Sequence, residues 1–404
     1  MRIISVVGAR PNFMKIAPFI KAINKHNSAN NNSIEHLLVH TGQHYDDRMS
    51  KAFFEQLEIP EANINLGIGS GSHAHQVGNT MIEFEKVLHE NKPDWVVIVG
   101  DVNAILACSV TAKKENIKCA HIEAGLRSGD MTMPEEINRL VADRISDLLL
   151  TPDRISSENL RKEGVPEEKI VFTGNIMIDS LDRNRHKAEK LSVSDIIKAN
   201  SIDPARIKVL KHSDKGFGVL TLHRPSNVDM RETLEPIVRF ILDEVCKTVP
   251  MIWTIHPRTR KMLESFGLMD EINRQENLVL LEPLGYLEML RLNMEARIIL
   301  TDSGGLQEEC TVLGTPCLTL RWNTERPITL KENGGASVLV GNSIDLIRKE
   351  FYHAVEKPRK PVRPEYWDGN SAERCLEAIL SYENLTSKEG VTEFQELSDT
   401  KKTF

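Results

Sequence analysis

Short runs of β-branched and aliphatic residues alternate along this chain with longer segments whose apolar positions recur every three to four residues. That alternation predicts parallel strands joined by helices. In the first half, Ile3–Val7, Ile34–His40, Trp95–Gly100, Cys119–Glu123, Leu148–Thr151 and Ile170–Thr173 read as strands. A second series follows at Phe217–Leu222, Met251–Ile255, Leu278–Leu281, Ile298–Thr301, Cys317–Leu320 and Ser337–Val340. Six strands and six predict two similar doubly wound α/β units. Between them, Asp182–Lys215 is rich in Lys, Asp and Ser, with helix-like segments but no convincing strand, and marks the boundary. Ala372, Leu376 and Ile379 fall at helical spacing in a last amphipathic helix, Gly369–Tyr382, and Glu383–Phe404 is polar. The expected division is residues 1–181, residues 182–368, a helix over 369–382 packing back towards the first unit, and a tail over 383–404.

Composition narrows the class. Hydrophobic residues make up 40% and charged residues 27%, as in a soluble globular chain, and 404 residues suit two cores of ~200 residues better than one. The 51 basic residues against 58 acidic ones leave a net charge of −7, which argues against coating nucleic acid or anionic membrane. An anionic ligand therefore needs a local site. The opening MRIISVVGARPNF is too short and polar for a signal peptide, and no run approaches the ~20 apolar residues of a membrane span, so the expected location is the cytoplasm. Six cysteines without a CxxC pair read as reduced structural thiols. His73-Ala74-His75, read as part of a Gly/Ser loop, has no partnering carboxylate or Cys, so no metal is expected.

Ligands of open α/β sheets gather at the carboxyl ends of the strands, which gives weight to the polar residues directly after them. The first strand runs into Gly8-Ala9-Arg10-Pro11-Asn12-Phe13-Met14-Lys15, a turn and helix start able to receive an anion, without the GxGxxG of nicotinamide binding. Asp101 and Glu123 follow two further strands. Glu135 and Arg139 share one face of a helix opened by Pro134, through an ordinary salt bridge or as part of an acid–base cluster. In the second half, Asp302-Ser303-Gly304-Gly305 forms a phosphate cradle at a helix start, with Glu309 about one turn inside, able to accept ribose hydroxyls. Thr221-Leu222-His223-Arg224-Pro225 places a His-Arg pair after the first strand of this half. Neither GxSxG nor a Cys-His nucleophile is present.

Together with Thr41-Gly42-Gln43-His44, His121–Arg127, Pro134-Glu135-Glu136, Asn138-Arg139 and Thr324-Glu325-Arg326-Pro327, these motifs stand in an order that resembles the non-hydrolysing UDP-N-acetylglucosamine 2-epimerases, from Met1 to about Leu380. The resemblance implies two Rossmann-like domains of glycosyltransferase-B type around a central cleft. It also implies a cytoplasmic homodimer, without cofactor, that interconverts UDP-N-acetylglucosamine and UDP-N-acetylmannosamine for surface polysaccharide synthesis. By similarity, Asp101, Glu123 and Glu135 carry the proton chemistry with His223 at the same catalytic centre. Arg10, Lys15, Arg139, His223, Ser303, Gly304, Gly305, Glu309 and Arg326 hold the UDP-sugar, and Gln43 and His44 are regulatory candidates. Where the family often has Glu after the His-Arg-Pro stretch, this chain has Ser226. A retaining nucleotide-sugar glycosyltransferase and a C2 epimerase of a UDP-diacetamido uronic acid are the alternatives. The Thr-Glu-Arg-Pro ending favours N-acetylglucosamine over the uronate, although Arg326 is a cation that a uronate would need.

Overall fold

The computed structural model describes residues 1–42, 56–203 and 216–384, with only the backbone of Arg10, so Gln43 and His44 lie outside it. Its first sheet has seven parallel strands: β1 (Arg2–Val7), β2 (Glu35–His40), β3 (Ile64–Asn65), β4 (Trp95–Val99), β5 (Lys118–Ile122), β6 (Leu148–Thr151) and β7 (Ile170–Phe172), ordered 3-2-1-4-5-6-7. The second has six: β8 (Gly218–Thr221), β9 (Met251–Thr254), β10 (Leu278–Leu281), β11 (Ile298–Thr301), β12 (Cys317–Thr319) and β13 (Ser337–Leu339), ordered 10-9-8-11-12-13. Strand order reverses beside β1 in one sheet and beside β8 in the other, the doubly wound pattern. The first sheet thus gains one strand over the expected six. β3 has two residues, paired with Val39 and His40, too few to leave a pattern in sequence.

Both faces of each sheet are covered, so the strands are apolar throughout and alternate residues feed different cores. Ile3, Val7, Trp95, Val97 and Val99 enter one core, whereas Ile4, Val6, Val96 and Ile98 enter the core on the opposite face. Five helices bear on the site and on the joining of the two sheets. α1 (Arg10–Ala29) has Pro11 in its first turn, and α2 (Pro134–Ile145) begins on a proline whose missing N–H costs a helix start nothing. α3 (Ile176–Glu189) is capped by Asn175, whose side chain accepts the Met177 N–H at 2.9 Å. α4 (Gly304–Leu313) ends on the left-handed Gly314, φ +72°. A Cβ there would lie 2.3 Å from the Pro361 nitrogen, so only glycine fits. α5 spans residues 371–384.

His73-Ala74-His75 opens a helix, His73–Asn91, capped by Ser72, and is not the loop its sequence suggested. The Gly/Ser stretch ahead of it supplies the cap. All six cysteines are unbridged and buried, and burial pushes the Cys119, Cys246 and Cys375 thiols up to about 12. No described helix is long and apolar enough to cross a membrane.

α5 returns to the first sheet. Ala372, Cys375, Leu376 and Ile379 share a core with Phe13, Ile16 and Leu181, and the same core reaches Tyr286, Leu290 and Val312 beside the second sheet. Glu383 accepts from Trp95 Nε1 at 2.6 Å, and the buried Asp179 of α3 accepts the N–H groups of Ser371 (3.1 Å) and Ala372 (2.7 Å) at the start of α5. Asp179→Ala strands those two donors and should cost about 2 kcal/mol, the upper end for a lost helix cap. A lower unfolding temperature with faster proteolysis after α3 is the expected result. An unchanged melt would mean that packing alone holds α5.

Candidate active site

The carboxyl ends of β1, β4 and β5 are tied together by side chains from the turns that follow them. Asn12, in the first turn of α1, accepts the Gly8 and Ala9 N–H groups at 3.0 Å each and donates to Val99 O at 2.7 Å, so the end of β1 is pinned to the end of β4. Three residues further along the helix, the buried Lys15 forms an ion pair with Glu123 Oε2. Gly100 makes room for it: a Cβ at this left-handed position, φ +79°, would lie 3.1 Å from Lys15 Nζ. Glu123 itself is buried with φ +70°, an unfavourable conformation for a side-chain-bearing residue. Its N–H and that of Ala124 both donate to Leu150 O, at 3.1 and 3.2 Å, which holds the strain in place. Gly125 follows at φ +81°, where a Cβ would lie 2.3 Å from Ser156 O. Both ring nitrogens of His121 face acceptors, Asp143 Oδ1 at 2.6 Å and Gly100 O at 2.8 Å.

α2 presents Arg139 to this edge. The buried guanidinium reaches Asp101 Oδ2 at 2.5 Å and Glu136 Oε2 at 2.5 Å. The partner on its own helix is thus Glu136, three residues back, and not the expected Glu135. Glu136 also accepts the N–H groups of Ser128 and Gly129, and although burial opposes its charge, Arg139 and these donors hold its carboxyl below the usual range. Glu135 is left half-buried, with no hydrogen bond or ion pair to its carboxylate among the described residues.

The second sheet contributes a matching edge. Asp302, fully buried at the end of β11, accepts the N–H groups of His223 and Arg224 and lies 2.8 Å from His223 Nδ1. Burial works against its charge, but His223 and these N–H groups keep its carboxyl below the usual range. His223 Nδ1–H therefore donates to Asp302 and leaves Nε2, on a side chain 40% exposed, available to a ligand. Ser303 is the N-cap of α4, and Gly304 is crowded: a Cβ would fall 2.6 Å from Glu325 Oε1 and 2.7 Å from Arg326 Nη1. At Gly305 the nearest atom to such a Cβ would be Met177 Cε, 4.0 Å away. Glu309 is buried against the helix Tyr286–Glu295, accepting from Asn293 Nδ2 at 3.2 Å, and burial pushes its carboxyl up to about 7.

Arg326 joins the two edges. This buried side chain pairs with Glu325 and, at 3.0 Å, with Glu308 Oε1, while Arg321 meets the other Glu325 oxygen at 2.6 Å. Glu123 and Asp101 of the first edge lie near enough to stabilise its charge. Arg224, likewise, donates to Asp302 O, touches Met133 Sδ at 3.9 Å and feels the charge of Glu135. The edge bearing Asp101, Glu123, Glu135, Lys15 and Arg139 thus meets the edge bearing His223, Ser303, Gly304 and Arg326 through Arg326 and Arg224. Sequence reasoning missed Glu136, Glu308, Asn12 and Asn175; the adjacent glutamates 135/136 and 308/309 were the available signal. Chemically, a cleft with carboxylates on one wall and an imidazole plus a helix start on the other can move protons on one part of a ligand while holding an anionic part.

Residues 26–380 match the family model described as UDP-N-acetylglucosamine 2-epimerase. The UDP-N-acetylglucosamine 2-epimerase of Methanocaldococcus jannaschii is 42% identical over 385 residues, covering 95% of this chain and 99% of the relative. Its crystal structure in complex with UDP-GlcNAc and UDP superposes with a TM-score of 0.83 at 42% identity, over 95% of this chain and 100% of the other. The UDP-2,3-diacetamido-2,3-dideoxy-D-glucuronate 2-epimerase of Pseudomonas aeruginosa is 36% identical over 383 residues, 94% of this chain and 99% of its own. The crowding at α4 makes a contrast that thermal unfolding can read. Gly304→Ala should lower the unfolding temperature by displacing the buried Glu325–Arg326 pair. Gly305→Ala should hold or raise it, since Ala is worth up to about 1 kcal/mol over Gly inside a helix. Equal effects would show that the pair gives way freely.

Proposed function

The chain belongs to the UDP-N-acetylglucosamine 2-epimerase family, and we propose that it interconverts UDP-N-acetylglucosamine and UDP-N-acetylmannosamine by eliminating and re-adding UDP. The observation that carries this reading is the wall of Asp101, Glu123 and Glu135 set against His223 and the start of α4, with Arg326 between them. The C2 proton is not acidic enough to leave unaided, and no redox partner is required if UDP departs from C1 as that proton is removed. A bound 2-acetamidoglucal results. Protonation on the other face of C2 with return of UDP to C1 gives the epimer, which is why proton carriers at different positions are needed.

In this scheme Asp101, Glu123 and Glu135 serve as acid and base. The strain at Glu123 and its Lys15 partner fix one carboxylate, while Arg139 fixes Asp101. His223 Nε2, Ser303 and the N–H groups at Gly304 and Gly305 receive the diphosphate, with Arg10 and Arg326 adding charge. The same reading takes the two sheets, each with its helices, as separate domains over 1–181 and 182–368. It takes the enzyme as a cytoplasmic homodimer supplying surface polysaccharide synthesis, with Glu309 at the ribose and Gln43 and His44 regulatory. A retaining glycosyltransferase would not need three carboxylates on the wall opposite the diphosphate.

The diacetamido uronate remains the competing substrate, given the Pseudomonas relative. Arg326 and Arg321, the cations of the Arg321–Pro327 loop, both pair with Glu325 inside the loop, which favours a sugar with neutral hydroxyls.

Reaction in deuterium oxide should place one deuterium at C2 of the product, detectable by NMR; protium fully retained there excludes the elimination. Amide replacement of Asp101, Glu123 or Glu135 should lower kcat by about 10²-fold or more while UDP affinity stays within a few-fold. A variant with near-normal turnover removes its residue from the acid–base set. For substrate, kcat/KM should favour UDP-N-acetylglucosamine, and a tenfold preference for the uronate, ~1.4 kcal/mol, overturns the assignment.

A further inference from the structure

Glu308 sits where the two sides of the cleft meet. Its Oε1 accepts from Asn175 Nδ2 at 2.8 Å and lies 3.0 Å from Arg326 Nε. Asn175 caps α3, on the segment leaving the first sheet, and Arg326 belongs to the loop after β12. One carboxyl therefore touches both sides, through a hydrogen bond from Asn175 and an ion-pair contact with Arg326 whose Nε makes no hydrogen bond. Its Oε2 is buried and meets no donor. Glu123 is in the same condition, with Oε2 on Lys15 and Oε1 buried without a partner. Two nearby buried carboxyls, each with an unanswered oxygen, cannot both stay charged cheaply. Glu123 has Lys15 beside it, whereas Glu308 shares Arg326 with Glu325.

We propose that Glu308 is a positioning residue for the epimerisation: held as the neutral acid, it aims Arg326 across the cleft towards Glu123 and Asp101 and leaves the site a surplus positive charge for the diphosphate. With Glu308 neutral, the buried Arg321 and Arg326 share Glu325 as the one carboxylate paired with both. An ionised Glu308 would cancel that surplus. The charged and polar groups around it are Arg326 and Glu325 from the loop after β12, Lys15 from α1, Glu123 from the end of β5, Asn175 at the start of α3, and Glu309 on its own helix. Burial and, after it, the repulsion of Glu123 outweigh Arg326, Lys15 and Asn175 and raise its carboxyl to about 7. Because the folded value is raised, the neutral form prevails at lower pH and is lost as pH rises through this region.

The inference rests on the epimerase reading for its catalytic meaning, but its charge state can be read from UDP binding alone. Calorimetry of UDP binding to the full chain at pH 8, in buffers of different ionisation enthalpy, should show proton uptake by wild type and markedly less by Glu308→Gln. In Glu123→Gln, used for binding only, the uptake should move to lower pH because the repelling carboxylate is gone. The ratio of kcat/KM at pH 6.5 to that at pH 8.5 should fall from about 20-fold, the loss of the neutral form over those two pH units, to under threefold in Glu308→Gln. Equal uptake in wild type and Glu308→Gln, or superposable pH profiles, overturns the proposal. If Glu308→Gln does not fold, an unmoved uptake curve in Glu123→Gln overturns it instead. A wild type that binds UDP but epimerises nothing would remove the epimerase reading, and the calorimetry would still decide the charge of Glu308.

Discussion

A charge taken out of water is stable only with an opposite charge or a donor within hydrogen-bond reach, and the space between the two sheets is organised by that requirement. Lys15 answers Glu123, Arg139 answers Asp101 and Glu136, His223 answers Asp302, and Arg326 answers Glu325. Such pairs add little net stability, yet losing one partner costs about 3–5 kcal/mol because the other is left buried and alone. They act as registers. The Lys15–Glu123, Arg139–Asp101 and His223–Asp302 pairs join residues far apart in sequence and fix where a strand end lies relative to its neighbour.

The backbone around the pairs is shaped to let them form. Both sheets reverse their strand order, and the groups with chemistry follow β1, β4 and β5 in one and β8, β11 and β12 in the other. Gly100 gives Lys15 its path, Gly304 gives Arg326 its place, and Glu123 accepts a left-handed backbone in order to stand at the end of β5. Strain at Glu123 is maintained by two N–H groups converging on Leu150 O. The arrangement resembles a pair of combs whose teeth are set before they approach each other.

Most of this was legible in the residues for physical reasons. Strands buried on both faces read as unbroken apolar runs, so Leu148–Thr151, Leu278–Leu281 and Ile298–Thr301 have in the structure the limits expected of them. Asp101 and Glu123 stand directly beyond strand ends, and Ser303-Gly304-Gly305 at a helix start, because glycine and small polar residues mark those turns. What sequence could not resolve is which of two neighbouring carboxylates turns towards a cation. Glu135 and Glu136 differ by about 100° around their helix, as do Glu308 and Glu309, and a small rotation of either helix exchanges their roles. In each case it is the less expected member, Glu136 and Glu308, that meets an arginine. β3 and the helix beginning at His73 escaped for different reasons, the one being two residues long and the other hidden by a glycine-rich cap.

The path of the chain through α3 and back into α5 has a consequence for how such proteins can diversify. Everything from β8 to β13 lies between two passages that both end on the first sheet, and Asp179 on the outgoing helix caps the incoming one. The second sheet is in effect a cassette spliced into the first, with its entry and exit clasped together by Asp179 and by the Asp182–Arg363 pair. Exchange of that cassette between related genes would preserve the clasp and the carboxylate wall while renewing the wall opposite. Recombination could therefore change what the cleft grips without disturbing the residues on its other side.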